Sequence, residues 1–309
     1  MKSISSLIKN NKIILLDGGT STEIQKRGVH MDNEVWSGIA HMLSPDIVYQ
    51  VHEDYIHAGA QVITANTFAC ARHVLESIKL GDETKKINTE AVILAKKARD
   101  NAAKEDTWIA GSMSSMAPFG SSKEVAEGKK IEGNYIELAE SLAEAGVDLI
   151  ITEMMRDVKN AKLVIKAALS TGLPVWIGYS AMISNDRKSV LSWRWKNSLP
   201  AISFSKLVEV LSPLGGEVAG VMHSQVKDTG PALDILSRQW EGPKMAYAET
   251  GKLEKPDWSF KEIYKPKKYA DEIKTWIKNY GVQIVGGCCG TGPEHIRILK
   301  NHIPKTLPN

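Results

Sequence analysis

The sequence predicts an α/β fold of the TIM-type (β/α)8 barrel class, formed by residues 1–309 as a single domain. Short apolar runs alternate with longer amphipathic segments along the chain, which is typical of a parallel sheet covered by helices. Eight strand–helix units fit within 309 residues, a length that single-domain α/β barrels commonly reach. No G-x-G-x-x-G motif follows the first apolar run, so an open, doubly wound sheet is the less favoured alternative.

The first four units are predicted from hydrophobic periodicity. Strands are expected over residues 13–17, 61–65, 108–113 and 148–153, and helices over residues 45–58, 83–103, 135–145 and 158–169. The second of these helices places Ile87, Ala91 and Ala98 on one face. Gly146 and Gly172 predict where the third and fourth helices end, because glycine readily adopts the left-handed conformation after a last helical turn.

The same alternation continues through the second half of the chain. Strands are expected over residues 174–180, 217–222, 244–248 and 282–286, and helices over residues 204–211, 231–240, 269–279 and 293–300. Pro231 and Pro293 are predicted to open their helices, since the first turn does not need the N–H that proline lacks. Pro174 stands at the start of its strand, where a missing donor matters least.

Composition and charge bear on the partners and the location that are expected for the protein. The hydrophobic share is 43%, and 39 basic residues nearly balance 36 acidic ones for a net charge of +3. This balance does not favour nucleic acid as a partner. No apolar run reaches the roughly 18 residues that a membrane helix needs, and the N-terminus does not resemble a signal peptide. Three cysteines without a disulfide pattern favour a reducing compartment, so a cytoplasmic location is expected.

Polar and metal-capable side chains follow most of the predicted strands. In a barrel of this kind the loops after the strands meet at one face, where the chemistry takes place. Going through the strands in order, these positions are Asp17–Gly18–Gly19–Thr20, Asn66–Thr67–Phe68, Glu153, a long loop with Trp193 and Trp195, Met222–His223, Glu249–Thr250–Gly251 and Cys288–Cys289.

The adjacent cysteines Cys288 and Cys289 are the most informative pair. Neighbouring cysteines rarely bond to each other, because the small ring would strain the disulfide. Only Cys70 remains as a third cysteine, so a disulfide framework is not expected. Two thiols at the end of a strand are typical of ligands to a soft metal ion, most often zinc. The alternative is a buried pair of small apolar side chains at a tight turn.

These segments resemble the homocysteine S-methyltransferase family, zinc-dependent barrels that move a methyl group onto a thiol. The resemblance covers nearly the whole chain and is most specific around the two cysteines. It is carried by residues 15–20 (LLDGGT), 35–37 (VWS), 52–60 (HEDYIHAGA), 64–68 (TANTF), 145–153 (AGVDLIITE) and 286–291 (GGCCGT). The Trp36–Ser37 segment looks most like the branch that uses S-methylmethionine.

The resemblance implies a set of site residues. Cys288 and Cys289 match two zinc-binding thiolates, and the expected cofactor is Zn²⁺. The positions that match the family's binding site for the amino acid substrate are Asp17 and Gly18 (ammonium and backbone), Glu153 (the same amino group), and Thr67 and Phe68 (the pocket lining).

One position departs from the family pattern. The third zinc thiolate of the family comes from an Asn–Cys pair after the sixth strand, where this chain reads Met222–His223. His223 is the candidate third ligand, since a Cys2His set with one open position is a known catalytic type. The alternative is an ordinary loop histidine and a broken metal site. Glu249 also stands in a segment where the family usually carries asparagine, which leaves the acceptor and the donor open.

The expected reaction is methyl transfer from a small sulfonium or quaternary ammonium donor to the thiol of homocysteine, giving methionine. A cationic donor favours aromatic faces, and the candidate donor-binding residues are Trp36, Tyr179, Trp193 and Trp195. The alternatives are a different thiol acceptor or donor, and a catalytically silent barrel that binds an amino acid or an onium compound. The expected partners are therefore small molecules, and the sequence leaves open whether the chain forms a homo-oligomer.

Overall fold

A computed structural model describes residues 3–116, 129–194, 200–254, 259–261 and 263–308. Eight parallel strands form one sheet, and two short antiparallel hairpins lie outside it. In chain order the strands are β1 (Ile14–Leu15), β2 (Val62–Thr64), β3 (Trp108–Ser114), β4 (Leu149–Met155), β5 (Val175–Tyr179), β6 (Ala181–Ile183), β7 (Val190–Ser192), β8 (Val218–Gln225), β9 (Lys244–Glu249), β10 (Lys252–Glu254), β11 (Ser259–Lys261) and β12 (Val282–Val285).

The sheet closes on itself, which confirms the predicted TIM-type barrel. The strand order is β1-β12-β9-β8-β5-β4-β3-β2, and a parallel bridge from Leu16 to Val62 joins the two ends. At this seam the amide of Asp17 donates to the carbonyl of Val62 at 2.9 Å, and the amide of Gln61 donates to Leu15 at 2.7 Å. All eight carboxyl ends therefore meet at one mouth of the barrel.

Helices cover the outside of the barrel and its amino-terminal mouth. They are α1 (Ile4–Lys9), α2 (Thr20–Lys26), α3 (Ala40–Leu43), α4 (Pro45–Ala58), α5 (Arg72–Leu75), α6 (Thr84–Ala102), α7 (Lys129–Ala145), α8 (Val158–Ser170), α9 (Phe204–Leu211), α10 (Val226–Ser237), α11 (Pro266–Tyr280) and α12 (Pro293–His302), with 3-10 turns at Glu76–Ile78, Gly81–Glu83 and Ser212–Leu214. In the described part of the chain, no helix is both long enough and apolar enough to cross a bilayer.

Side chains alternate between the two faces of each strand. The apolar residues of the sheet therefore form two cores, one inside the barrel and one between the sheet and the helices. On β5, Val175, Ile177 and Tyr179 pack outward against the helices, whereas Trp176 points into the barrel. Helix α1 covers the amino-terminal mouth, where its Ile8 joins the interior cluster with Trp176. Side chains thus fill the amino-terminal end of the interior, and the described residues leave a cavity towards the carboxyl ends of the strands.

The helix predicted over residues 231–240 was wrong at its start. Helix α10 begins at Val226, directly after β8, and Pro231 lies inside it. Residues on both sides of the proline, among them Val226, Ala232 and Leu236, are buried against the sheet. Burial of this continuous apolar face outweighs the one helical hydrogen bond that proline cannot make. The helix ends predicted at Gly146 and Gly172 are confirmed, with φ of 81° and 74°.

The Tyr269 hydroxyl joins β9 to β12 near the mouth of the barrel. Tyr269 on α11 is fully buried; its hydroxyl accepts from the amide of Ala248 at 3.1 Å and donates to the carbonyl of Gly286 at 2.7 Å. It therefore pairs two backbone groups where the ladder between the strands ends.

We predict that Tyr269→Phe lowers the free energy of unfolding by about 1–3 kcal/mol, because it leaves a buried amide and a buried carbonyl unpaired. Denaturant unfolding measures this change. Tyr179→Phe is the matched control: Tyr179 is equally buried, but its hydroxyl has no hydrogen-bond partner among the described residues. Its loss should change stability by no more than about 0.5 kcal/mol. Equal losses in the two variants would contradict the bridging role.

Candidate metal and substrate site

A cavity of about 270 Å³ opens at the carboxyl ends of the barrel strands. Its wall contains most of the residues that the sequence singled out, from six different strand ends. The structure brings together Asp17, Gly18, Trp36, Phe68, Glu153, Trp193, His223, Cys288 and Cys289 around this one space.

His223, Cys288 and Cys289 form a triangle of ligand atoms. The Nδ1 atom of His223 lies 3.6 Å from Sγ of Cys288 and 3.7 Å from Sγ of Cys289, and the two sulfurs are 3.8 Å apart. Among the described residues, this is the group of His, Cys, Asp or Glu side chains whose ligand atoms converge closely enough to hold a metal ion.

The triangle fits a tetrahedral zinc site. With Zn–S near 2.3 Å and Zn–N near 2.0–2.1 Å, tetrahedral angles require edges of about 3.6 Å for N···S and about 3.8 Å for S···S. The three distances above match these edges closely. Three protein ligands would occupy one face of such a tetrahedron and would leave a fourth position open.

Glycines allow the backbone to present the two cysteines. A Cβ at Gly286 would lie 2.5 Å from Cβ of Leu16, and one at Gly287 would lie 2.1 Å from Cγ2 of Thr291. Gly290 has a φ of 81°, so the chain turns back after the pair in a conformation that favours glycine. The glycines around the pair are therefore explained by close backbone approach.

His223 reaches the triangle from a strained backbone conformation. The pairing of β8 with β9 shifts register between Met222 and Gln225, and His223 in this bulge has a φ of 42°. The ring of Trp193 lies edge-on to its imidazole, with centroids 5.0 Å apart. Left-handed backbone costs energy in a residue with a side chain and is most often found at functional sites.

Metal binding at the triangle competes with protonation of the ligand atoms. Burial disfavours the charged imidazole, but Cys288 and the carboxylates of Glu249 and Glu153 outweigh it, so the pKa of His223 rises to about 9. Cys289 and burial together raise the pKa of Cys288 well above its usual value. A metal must therefore displace the proton of the Cys288 thiol, which makes its affinity dependent on pH.

Asp17 and Glu153 form a second polar group in the same cavity. Asp17 accepts from the amide of Thr64 at 2.6 Å and from its hydroxyl at 3.1 Å. Glu153 accepts from the hydroxyls of Ser112 and Tyr247, the latter at 3.0 Å. Burial raises the pKa of Asp17 to about 7, against the Thr64 hydrogen bonds and with help from Glu153, and burial also raises the pKa of Glu153.

Aromatic rings line the remaining wall. Trp36 and Phe68 meet edge to face with centroids 6.3 Å apart, and Trp193 lies across the cavity beside His223. The Trp36 segment is held in place by Asn66, whose amide nitrogen donates to the carbonyl of Ser37 at 2.7 Å. The cavity thus combines carboxylates, aromatic faces and a thiol–imidazole cluster, a combination that suits a cationic ligand bearing a thiol or onium group.

Two residues predicted for the site lie elsewhere. Thr67 is fully buried; its hydroxyl donates to the carbonyl of Ser112 at 2.9 Å and accepts from the Ser112 amide at 3.0 Å, so it joins β2 to β3. Tyr179 points outward from β5 and packs against Phe204 of α9. Neither side chain lines the cavity. Trp195 lies outside the described residues.

Three cavity residues had no role in the sequence-based prediction. Ser112 and Tyr247 hold Glu153, and the two-residue alternation of a barrel strand is the signal that would have pointed them inward. Glu249 stands at the end of its strand, and its Oε2 lies 3.9 Å from Nδ1 of His223. Cys70, the third cysteine, is buried away from the triangle, beside the carbonyl of Gly38.

The family model and the sequence relatives that match this chain indicate the same family. A family model described as homocysteine S-methyltransferase matches residues 14–303. The chain is 26% identical to homocysteine S-methyltransferase YbgG of Bacillus subtilis, with 96% of both proteins covered, and 25% identical to homocysteine S-methyltransferase 2 of Zea mays, with 96% and 91% covered. The metallated form of the Escherichia coli homocysteine methyltransferase MmuM superposes with a TM-score of 0.75 at 21% identity, over 97% of this chain and 99% of that one, which shows the shared fold.

The pKa of Asp17 predicts how stability varies with pH. Between about pH 4 and pH 7 the unfolded chain has lost the Asp17 proton while the folded chain retains it, so the free energy of unfolding falls as pH rises. Asp17→Asn removes this dependence. Its stability relative to the parent should therefore rise by on the order of 2–4 kcal/mol across that range in substrate-free protein. Urea unfolding at several pH values measures the difference, and a constant difference would contradict the buried carboxyl.

Proposed function

This chain belongs to the homocysteine S-methyltransferase family, and from this premise we propose that it methylates the thiol of homocysteine, giving methionine. The methyl donor is a small sulfonium or quaternary ammonium compound. The observation that carries the proposal is the His223–Cys288–Cys289 triangle, which shares one cavity with the Asp17–Glu153 carboxylates. One group suits a thiol bound through a metal, and the other suits an ammonium group.

The proposed metal is zinc, held by His223, Cys288 and Cys289. When bound, zinc removes the proton of an incoming thiol and leaves a sulfur that is still nucleophilic. Thiolate ligands require reduced cysteines, which supports a reducing compartment such as the cytoplasm. Since one cavity contains both groups, we propose that residues 1–309 act as a single catalytic domain.

Asp17 and Glu153 are proposed to bind the ammonium group of homocysteine. Two carboxylates buried in one cavity repel each other, and a bound cation relieves this repulsion and the cost of their desolvation. Gly18 also lines the cavity, and a side chain there would collide with Tyr55 and with the carbonyl of Thr291. Binding the amino acid at this end orients its thiol towards the triangle.

Trp36, Phe68 and Trp193 are proposed to surround the donor. Aromatic faces attract onium cations, most strongly where water is excluded. A sulfonium or quaternary ammonium donor leaves as a neutral thioether or amine once it loses its methyl group. The reaction therefore needs no general acid to protonate the leaving group, and the carboxylates of the cavity remain free to bind cations.

Direct assay tests the function. We predict that zinc-loaded protein with homocysteine and a panel of methylated onium donors forms methionine with at least one donor, as measured by mass spectrometry. His223→Ala, which removes one ligand, should lower zinc affinity and methionine formation together by at least about tenfold. Tight zinc binding without product from any donor would favour another thiol acceptor. Absence of zinc binding would favour a silent ligand-binding barrel.

The nature of the third ligand predicts a pH effect. Two thiolates and a neutral imidazole give Zn²⁺ a total charge of 0, whereas three thiolates give −1. The present set should ionise an incoming thiol more readily and leave it a weaker nucleophile. His223→Cys is therefore expected to raise the apparent pKa of the bound substrate thiol by about one unit, read from the pH dependence of kcat. An unchanged pH profile would contradict this charge argument.

A further inference from the structure

Arg156 is a positive charge near the mouth of the barrel that the proposed reaction does not use. It directly follows β4, its side chain is half-buried, and its guanidinium lies over the ring of Trp193, 5.5 Å from the ring centroid. Burial lowers the pKa of this guanidinium, and the carboxylate of Asp157 acts against the shift. With the described residues Arg156 forms no ion pair and no hydrogen bond. A desolvated cation in such surroundings is costly unless an anion neutralises it.

The nearby carboxylates are engaged elsewhere. Asp157 is the N-cap of α8, and its Oδ1 accepts from the amide of Asn160 at 2.8 Å. Glu153 accepts from two hydroxyls inside the cavity, and Arg156 is not among the groups that lower its pKa. The charge of Arg156 is therefore available to an anion that arrives with a ligand.

A bulge at the end of β4 directs Arg156 towards the mouth. Ile151 points inward, so regular alternation would direct Met155 inward and Arg156 outward. The pairing of β4 with β5 shifts register in this stretch, and Met154 has a φ of 56°. Met154 consequently joins the interior cluster and Met155 packs outward, which places Arg156 on the inner side. Left-handed backbone in a residue with a side chain is costly and is most often found at functional sites.

Trp193 connects Arg156 to the cavity. Its ring lines the cavity and lies edge-on to the imidazole of His223, while the guanidinium lies over the same ring. Neither lysine nor arginine occurs among the described residues that line the cavity. A donor with only a positive charge is repelled by the nearby guanidinium, whereas a donor that also carries a carboxylate can pair with it.

We propose that Arg156 recognises a carboxylate on the methyl donor, so that the donor is a zwitterion with its onium centre and its carboxylate on one short chain. The inference rests on the proposed function, because it assigns the donor of that reaction. The onium centre lies against the aromatic rings, and the carboxylate passes the edge of Trp193 to reach the guanidinium. Homocysteine also has a carboxylate, but Arg156 contacts the ring on the donor side of the cavity.

Donor binding tests this recognition without turnover. Calorimetric titration of the zinc-loaded protein compares trimethylammonioacetate with ethyltrimethylammonium, and dimethylsulfoniopropionate with dimethylpropylsulfonium. In each pair the second compound has a methyl group in place of the carboxylate. We predict that the parent binds at least one of the two zwitterions at least about tenfold more tightly than its matched cation, because a charge-assisted pair replaces a repulsion.

Variants of Arg156 separate its charge from its packing. Arg156→Met keeps an apolar stem against Trp193, so it should weaken binding of that zwitterion at least about tenfold and leave the matched cation equal or tighter. Arg156→Lys keeps the charge without the planar fork and should lie between the two proteins. Equal weakening of both compounds in Arg156→Met would reduce Arg156 to a support for Trp193 and would overturn the proposal.

Arg194→Met is the matched control. Arg194 adjoins Trp193 in the chain but is exposed, so solvent screens its charge. Its removal should change the affinity for either compound by less than about threefold. A loss of zwitterion binding as large as that of Arg156→Met would point to the general charge of the rim and would contradict a specific pair.

Turnover distinguishes this inference from the proposed function. If Arg156→Met lowers kcat/KM with homocysteine but not with 3-mercaptopropylamine, the acceptor that lacks the carboxylate, then Arg156 serves the acceptor and the proposal fails. A parent that forms methionine equally well from zwitterions and matched cations would refute only the role of Arg156. A parent that binds a zwitterion through Arg156 but yields no methionine from any donor would refute the proposed function and retain the carboxylate site.

Discussion

Backbone hydrogen bonds across β1, β12 and β9 are the constraint on which the site depends. The amide of Gly287 donates to the carbonyl of Asp17 at 3.0 Å, and the amide of Cys288 donates to Ala248 at 2.9 Å. These bonds place the cysteine pair between Asp17, the proposed ammonium-binding residue, and Ala248. Because parallel strands end at one mouth, closure of the barrel converts residues scattered along the chain into one cavity.

The cavity contains strained backbone and carboxylates in desolvated surroundings, both of which cost free energy. Three of its residues, Trp36, Met154 and His223, have positive φ without being glycine. Asp17, Glu153 and Glu249 add carboxylates whose pKa values are all raised, first of all by burial. Such strain and desolvation persist only where the surrounding structure enforces them. The apolar packing on both sides of the sheet supplies that enforcement, and a cationic substrate and a metal would lower its cost.

Sequence reasoning identified several cavity residues whose placement depends on where a strand ends. Asp17, Glu153, His223 and the cysteines lie near or just beyond the carboxyl ends of strands, and closure of the barrel brings each of them to the mouth. It was less successful with orientation, because neighbouring residues of a strand point to opposite faces. Tyr179 faces outward for this reason, and Tyr247, on an inward position of β9, was not anticipated.

The sequence by itself determined the barrel, the family and the thiol pair, because periodicity and short motifs depend only on local order along the chain. Tertiary structure alone decided that Nδ1 of His223 stands 3.6 and 3.7 Å from the two sulfurs, that Glu249 faces this atom, and that Thr67 does not line the cavity. These distances join residues up to 66 positions apart. They are set by register, by a bulge in β8 and by side-chain direction, none of which a motif records.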